Sequence, residues 1–497
     1  MKLFKISLLA IISLILSCKD KPENTIITGK VMGDFPKKVQ YTIPTNNTSY
    51  LGFRETVTTD SLGQYKISLP IEKVSFVKII IPKEDGLFQI TNAALVVEPR
   101  KKYEVNFNLD APDKTYDINA ENQIAQYTLN QLPNPEHPEI GAIPFYRDSI
   151  TTNITATIDS LQNVDIKKMK ALYEKDSLSS SFFDLVKLDR TYYYTALKGT
   201  VAFVKFIMNE REKGVFTDEV KTMWQSCFDN DLLSRPDFQN TFWGFSLLEN
   251  YLYYKRYEAV DFDAEKFKTS TKDVPYISHR ISEAKKYLPK DRLEFYEAAF
   301  LYRELLQKNY QKEFISLYNE FGFAYPSSSY SQYLEPLIDS VVDFHKKAEQ
   351  QFSKDVKFVN NYTEINTFSD LLAQFKGKKI YIDIWGTWCG PCKKEFQHKN
   401  DLKKLLKSKN IETLYICEGR SSKENNWKNM IKFYDLEGYH IMANEKLLAD
   451  IIKIFGNNGS FYYPRYILID ANGKTIKSTA AKPSELSALK QQIEEAF

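Results

Sequence analysis

Lys379-Ile380-Tyr381-Ile382-Asp383-Ile384-Trp385-Gly386-Thr387-Trp388-Cys389-Gly390-Pro391-Cys392-Lys393 is the most informative stretch of the 497-residue chain. Its first seven residues alternate with period two, setting Ile380, Ile382 and Ile384 on one face and Tyr381, Asp383 and Trp385 on the other, which predicts a strand. After the cysteines, Lys393-Lys394-Glu395-Phe396 runs on to Leu402, Leu405 and Leu406 at helical spacing. Cys389 is therefore expected where a strand ends and a helix begins. Free N–H groups and the helix dipole at such a junction favour a thiolate, which makes the first cysteine the nucleophile. Two thiols spaced C-x-x-C can close a disulfide across one helical turn and reopen it. The competing reading is half a zinc site, which needs a second pair of ligands. Cys18, Cys227 and Cys417 are unpaired in sequence, and His398 and His440 repeat no ligand spacing, so redox chemistry is expected and a metal is not. Cys227 and Cys417 read as buried single thiols.

The strand, Asp383 six residues before Cys389, and W-C-G-P-C-K resemble the thioredoxin superfamily. The later sequence agrees with that resemblance. Ile411 to Ile416 reads as a second strand and Asn426 to Phe433 as a helix. Tyr463-Pro464 with Arg465 to Lys474 resembles the superfamily's cis-proline, strand and D-x-x-G turn, and a last helix is expected over about 483–495. Glu395, three residues after Cys392, and the insertion before Pro464 look most like the TlpA/ResA type of envelope thiol-disulfide oxidoreductase. The resemblance covers residues 354–497, under a third of the chain, and implies an α/β thioredoxin-like fold.

It also implies site roles. Cys389 attacks a client disulfide and Cys392 resolves the adduct. Asp383, buried beneath the pair, exchanges the proton of Cys392, which requires a carboxyl made less acidic by burial. Pro464 holds the backbone of Tyr463 beside the sulfurs for an extended client segment, and Trp388 covers the disulfide. Glu395 is either a proton-relay partner or a favourable anion at the helix start. Gly390-Pro391 resembles reducing thioredoxins, so the expected activity is reduction of client disulfides, with no cofactor and with a membrane electron donor as partner. A peroxidase would need a P-x-x-x-T/S-x-x-C setting, which Gly386-Thr387-Trp388-Cys389 does not reproduce.

The N-terminus bears on location. Lys2 and Lys5 precede an apolar run from Ile6 to Leu16, and Ile15-Leu16-Ser17-Cys18 resembles a lipoprotein signal-peptidase site, although Leu16 stands where a small residue is common. The run is shorter than the roughly 20 residues that span a bilayer, which disfavours an anchor helix. Residues 1–17 are expected to be a lipoprotein signal peptide, Cys18 the acylated residue, and the bacterial cell envelope the compartment, facing the periplasm or the surface.

The rest of the chain is too long for one domain. Its 67 basic and 64 acidic residues are interspersed, giving a net charge of +3 and no basic tract, so nucleic acid is not an expected partner. Five cysteines exclude a disulfide framework. Residues 24–112 carry period-two runs at Thr25 to Val31, Gln64 to Leu69, Val77 to Ile81 and Tyr103 to Phe107, predicting an antiparallel β-sandwich. Residues 120–350 switch to helical spacing and predict an all-α domain. Its tyrosines, Tyr192 to Tyr194 with Tyr251, Tyr253, Tyr254 and Tyr257, either line a client groove or pack helix against helix. The alternative to an enzyme is a surface-anchored binding or scaffold lipoprotein with an accessory thioredoxin domain. Both cysteines, Asp383 and Pro464 are present, which favours the enzyme.

Overall fold

The computed structural model describes residues 24–33, 38–45, 48–82, 89–111, 115–135, 138–210, 212–228, 231–235, 238–271, 274–456 and 460–497. The expected signal peptide and Cys18 lie outside the described residues.

The first described residues form two four-stranded sheets. One has the order 64–69, 25–32, 102–108, 116–119 and the other 48–58, 38–45, 75–82, 89–97. Gln64–Leu69 alternates strictly between exposed and buried, and residues from both sheets, among them Ile27, Ile67, Val105, Val39, Ile79 and Leu95, share one core. The ladders are not all antiparallel, because Thr25–Met32 pairs in parallel with Lys102–Asn108. Parallel pairing needs a long crossover, and the whole second sheet intervenes between those two strands. Tyr116–Asn119 also extends the first sheet past residue 112, the expected end of the β unit.

Ser75–Pro82 is buried on both faces. Its outer face and that of Gln89–Val97 carry Phe76, Ala94 and Val96 into the core of the helices that follow. The exposed edge of Gln89–Val97 is covered by side-chain amides from helix Gln123–Asn130. Gln126 donates to Val96 O and accepts from Val96 N at 2.7 and 3.1 Å, and Asn130 does the same to Ala94 at 2.7 and 2.8 Å. The two amides act as a substitute strand on an otherwise open ladder.

Helices occupy most of the described residues from Gln123 to Ala348. The longest, Ser180–Met208, starts at Ser179, whose hydroxyl accepts from the Phe182 N–H. Tyr192, Tyr193 and Tyr194 are buried on it, as are Tyr254 and Tyr257 on Gly244–Glu258. Helix packing, rather than a groove, accounts for these five. Tyr193 meets Trp243 at 4.7 Å and Tyr257 meets Phe206 at 4.4 Å. Helix Thr151–Tyr173 buries only Ile154, Ile158, Asp165 and Met169. So thin a stripe leaves little periodicity to detect.

The last part is a six-stranded sheet of order 475–477, 465–469, 379–385, 411–418, 438–443, 356–358. Lys379–Trp385 lies in its interior, parallel to Ile411–Glu418 and antiparallel to Arg465–Ile469. Both of its faces are covered, so the alternation separates cores on the two sides of the sheet instead of core from solvent, with Tyr381 packed among Leu402, Leu406, Tyr466 and Leu468. Ile380, Ile382 and Ile384 enter one. Trp385, with Cys389, Cys392, Phe396, Tyr415 and Cys417, belongs to the same continuous core as the helices before it.

Candidate redox site

Cys389 caps the N-terminus of helix Gly390–Glu395, with Pro391 in its first turn. The Cys392 N–H donates to Cys389 Sγ at 3.2 Å, and the two sulfurs form a disulfide. Proline in the first turn removes an N–H that would have had no helical partner, leaving the Cys392 N–H directed at the first sulfur. That is the anion-stabilising placement expected of a nucleophilic thiol. Both cysteines are buried.

Trp388, the residue before Cys389, is 48 % exposed. Its indole N–H donates to Glu418 Oε2 at 3.1 Å, and its ring meets Tyr463 edge-on at 5.3 Å. Gly386 makes this possible, because a Cβ there would lie 2.8 Å from the indole nitrogen. Glu418 is buried at the end of Ile411–Glu418. It also accepts from Arg420 N and Nε and from Ser421 N. Burial pushes its carboxyl up, but these hydrogen bonds, led by that from Trp388, outweigh it and hold the group below its usual range. Tyr463 precedes Pro464 through a cis peptide bond.

Asp383 lies in the interior of the sheet, opposite Tyr466 on one side and Tyr415 on the other. It is buried, its Oδ1 has no hydrogen-bond partner, and burial followed by the charge of Glu395 pushes its carboxyl well above the usual range. Glu395 is itself buried and held by Ser484, through the backbone N–H at 2.9 Å and the hydroxyl at 3.0 Å. It sits beyond the first turn of its helix, so the alternative of a helix-start anion does not apply. The structure thus brings Cys389 to Cys392, Trp388 to Tyr463, which precedes Pro464, and Asp383 within reach of the charge of Glu395.

Sequence reasoning missed three residues here. Glu418 and Ser484 carry no local signal, because each matters only through a partner 30 or 89 residues away. Lys393 reads in the sequence as helix continuation, yet its ammonium is buried and bonded to the carbonyls of Gln307 and Lys308. Cys417 is buried, with its thiol pushed up by that burial. Cys227 is buried as expected. His440 is buried between Tyr415, stacked at 4.9 Å, and the Leu436 carbonyl, 2.8 Å from Nε2. Among the described residues no group of three His, Cys, Asp or Glu side chains is placed to hold a metal.

Residues 347–493 match the Redoxin family. The thiol-disulfide oxidoreductase ResA of Bacillus cereus (strain ATCC 10987 / NRS 248) is 30% identical over 153 residues, which span 31% of this chain and 80% of that protein. This chain belongs to the ResA-type thiol-disulfide oxidoreductases. ResA of Bacillus subtilis (strain 168) is 28% identical over 114 residues, 23% of this chain and 59% of that one. Among solved structures, the thioredoxin domain of a thiol-disulfide oxidoreductase from Bacteroides vulgatus is 22% identical, covering 25% of this chain and 82% of that one with a TM-score of 0.22. The exposed lipoprotein thioredoxin of Streptococcus pneumoniae strain TIGR4 is 23% identical, covering 25% and 89% with a TM-score of 0.21. The enzyme is thus a thiol-disulfide oxidoreductase with a thioredoxin-like domain at its C-terminus. Thiol-disulfide oxidoreductases act on disulfide-bearing substrates, and no helix among the described residues is long and apolar enough to cross a membrane.

Proposed function

We propose that this enzyme is a lipid-anchored reductase of the bacterial cell envelope that reduces the disulfides of client proteins outside the cytoplasm through Cys389 and Cys392. The carrying observation is Cys389 at the helix cap with the Cys392 N–H on its sulfur, which favours a thiolate at the first position only. The Cys389 thiolate attacks one sulfur of the client disulfide. A mixed disulfide forms and one client thiolate leaves. Cys392 then gives its proton towards Asp383 and attacks Cys389 Sγ, closing the enzyme disulfide and releasing the second client thiolate. Two electrons pass to the client, and a membrane protein carrying reducing equivalents restores the dithiol. The unpartnered Oδ1 of Asp383 and its raised pKa suit it to exchange that proton, with Glu395 as relay. Tyr463 and Trp388 form the client-contact rim. Residues 24–112 and 120–350 form the β and helical regions between the anchor at Cys18 and the redox domain at 354–497.

Trapping tests this reading. Cys392→Ser accumulates mixed disulfides with clients, whereas Cys389→Ser neither captures clients nor reduces insulin, and Cys389 of the reduced wild type alkylates well below the free-cysteine pKa of about 8.5. A Cys392→Ser protein that traps nothing in cells, together with a fully reduced wild type that reduces no disulfide, overturns it.

A further inference from the structure

Lys393 directly follows Cys392, yet none of its side chain reaches solvent. Its ammonium donates to the carbonyls of Gln307 at 3.2 Å and Lys308 at 3.0 Å. Those two residues follow the last residue of helix Lys290–Leu306, where unpaired carbonyls and the negative end of the helix dipole gather. The chain there turns through left-handed Lys308 and Tyr310, which turns the carbonyls towards the redox helix. The turn is pinned in its own right. Tyr310 packs on Phe344 at 4.7 Å and Phe433 at 4.9 Å, its hydroxyl bonds to that of Tyr434 at 2.7 Å, and its carbonyl meets His345 Nε2 at 2.9 Å. Cys389 and Cys392 lie in the same apolar core as these helices.

We propose that the helical domain is a working part of the redox centre, its turn at 307–310 gripping Lys393 as a positioning residue that sets the reduction potential of the Cys389/Cys392 pair. A cation fixed on the residue after Cys392 cannot swing into solvent. It stabilises the thiolate, and therefore the dithiol, relative to the disulfide. The site holds this charge against opposition: burial, then the charge of Lys308, pushes the Lys393 ammonium down to about 8, while Lys308 in turn faces Lys394. Two backbone carbonyls offset that cost. The inference rests on Cys389 and Cys392 being the redox pair.

The test uses the full-length protein equilibrated in glutathione redox buffers, with the oxidised fraction read by thiol trapping and the pH profile of Cys389 alkylation measured alongside. Lys393→Gln keeps N–H donors for the carbonyls and loses the charge. It shifts the dithiol/disulfide equilibrium three- to tenfold towards disulfide, about 15 to 30 mV more reducing, and moves the alkylation midpoint to higher pH. Lys393→Arg restores both. Lys393→Met also removes the grip, and amide exchange at 307–311 becomes faster. Removing the Tyr310 side chain by Tyr310→Ala shrinks the Lys393→Gln shift to under twofold. An unmoved potential and alkylation profile in folded Lys393→Gln overturns the proposal, as does unchanged exchange at 307–311 in Lys393→Met. An equal shift in the Tyr310→Ala background overturns the part assigned to the helical domain. A wild type whose pair does not titrate overturns the dithiol reading and this inference with it.

Discussion

Asp383 and His440 are two buried titratable groups whose folded states disfavour the charged form, and the signs of their effects differ. The Asp383 carboxyl is pushed up by burial and by Glu395, so the folded state binds its proton more tightly than the unfolded chain does. Stability therefore falls as pH rises from the unfolded carboxyl value of about 4 towards the folded one. Asp383→Asn removes that loss. It should melt higher than wild type at pH 7 while resolving mixed disulfides about 10²-fold more slowly, the contribution usual for a positioned proton acceptor; calorimetry and single-turnover client release check the two halves. His440 is held down to about 4, by burial above all, so the unfolded state takes up its proton first as pH falls below about 6.5. Stability is then lost progressively towards pH 4, by about 2 to 3 kcal/mol at pH 4.5. His440→Phe keeps the stack on Tyr415 and should remove most of that pH-dependent difference in urea unfolding, whatever its stability at pH 7.

Strand Gln89–Val97 and helix Gln123–Asn130 depend on each other through Gln126 and Asn130. Gln126→Ala leaves the buried N–H and C=O of Val96 without these partners, and unfolding should become easier by about 1 to 3 kcal/mol. Uncovering the part of the ladder edge at Val96 also predicts more self-association on heating, read by light scattering. This device was illegible beforehand, because a glutamine and an asparagine four residues apart look like an ordinary solvated helix face. The strand-to-helix junction at Cys389 was legible, since a period-two run and a helical run meet there within four residues. Glu395 lay between those levels. Its spacing from Cys392 was plain in the sequence, but only the helix bounds, which put it beyond the first turn, and the bonds from Ser484 separate a held carboxylate from a capping anion.

At the scale of the whole molecule, the helices and the redox half of the last sheet share a core, and Phe53 carries that core into the β region by packing on Tyr302 at 4.7 Å. Changes in any one region are therefore expected to reach the others. The anchor is a separate matter. Cys18→Ala should abolish incorporation of labelled fatty acid and move the protein out of the membrane fraction, with insulin reduction by the purified protein unchanged. Unchanged labelling removes the lipoprotein reading.

The sequence by itself determined the redox chemistry, because C-x-x-C at a strand-to-helix junction is a local pattern whose electrostatics follow from backbone geometry within a few residues. It also determined where β gives way to α, since period two and period 3.6 are properties of neighbouring residues. Only the tertiary structure decided which buried groups surround the sulfurs. Glu418 on the Trp388 indole, Ser484 on Glu395, and the 307–308 carbonyls on Lys393 join residues 30 to 89 positions apart. Side chains that distant meet only after sheet and helices have packed, and hydrogen bonds at that separation leave no periodicity in the sequence.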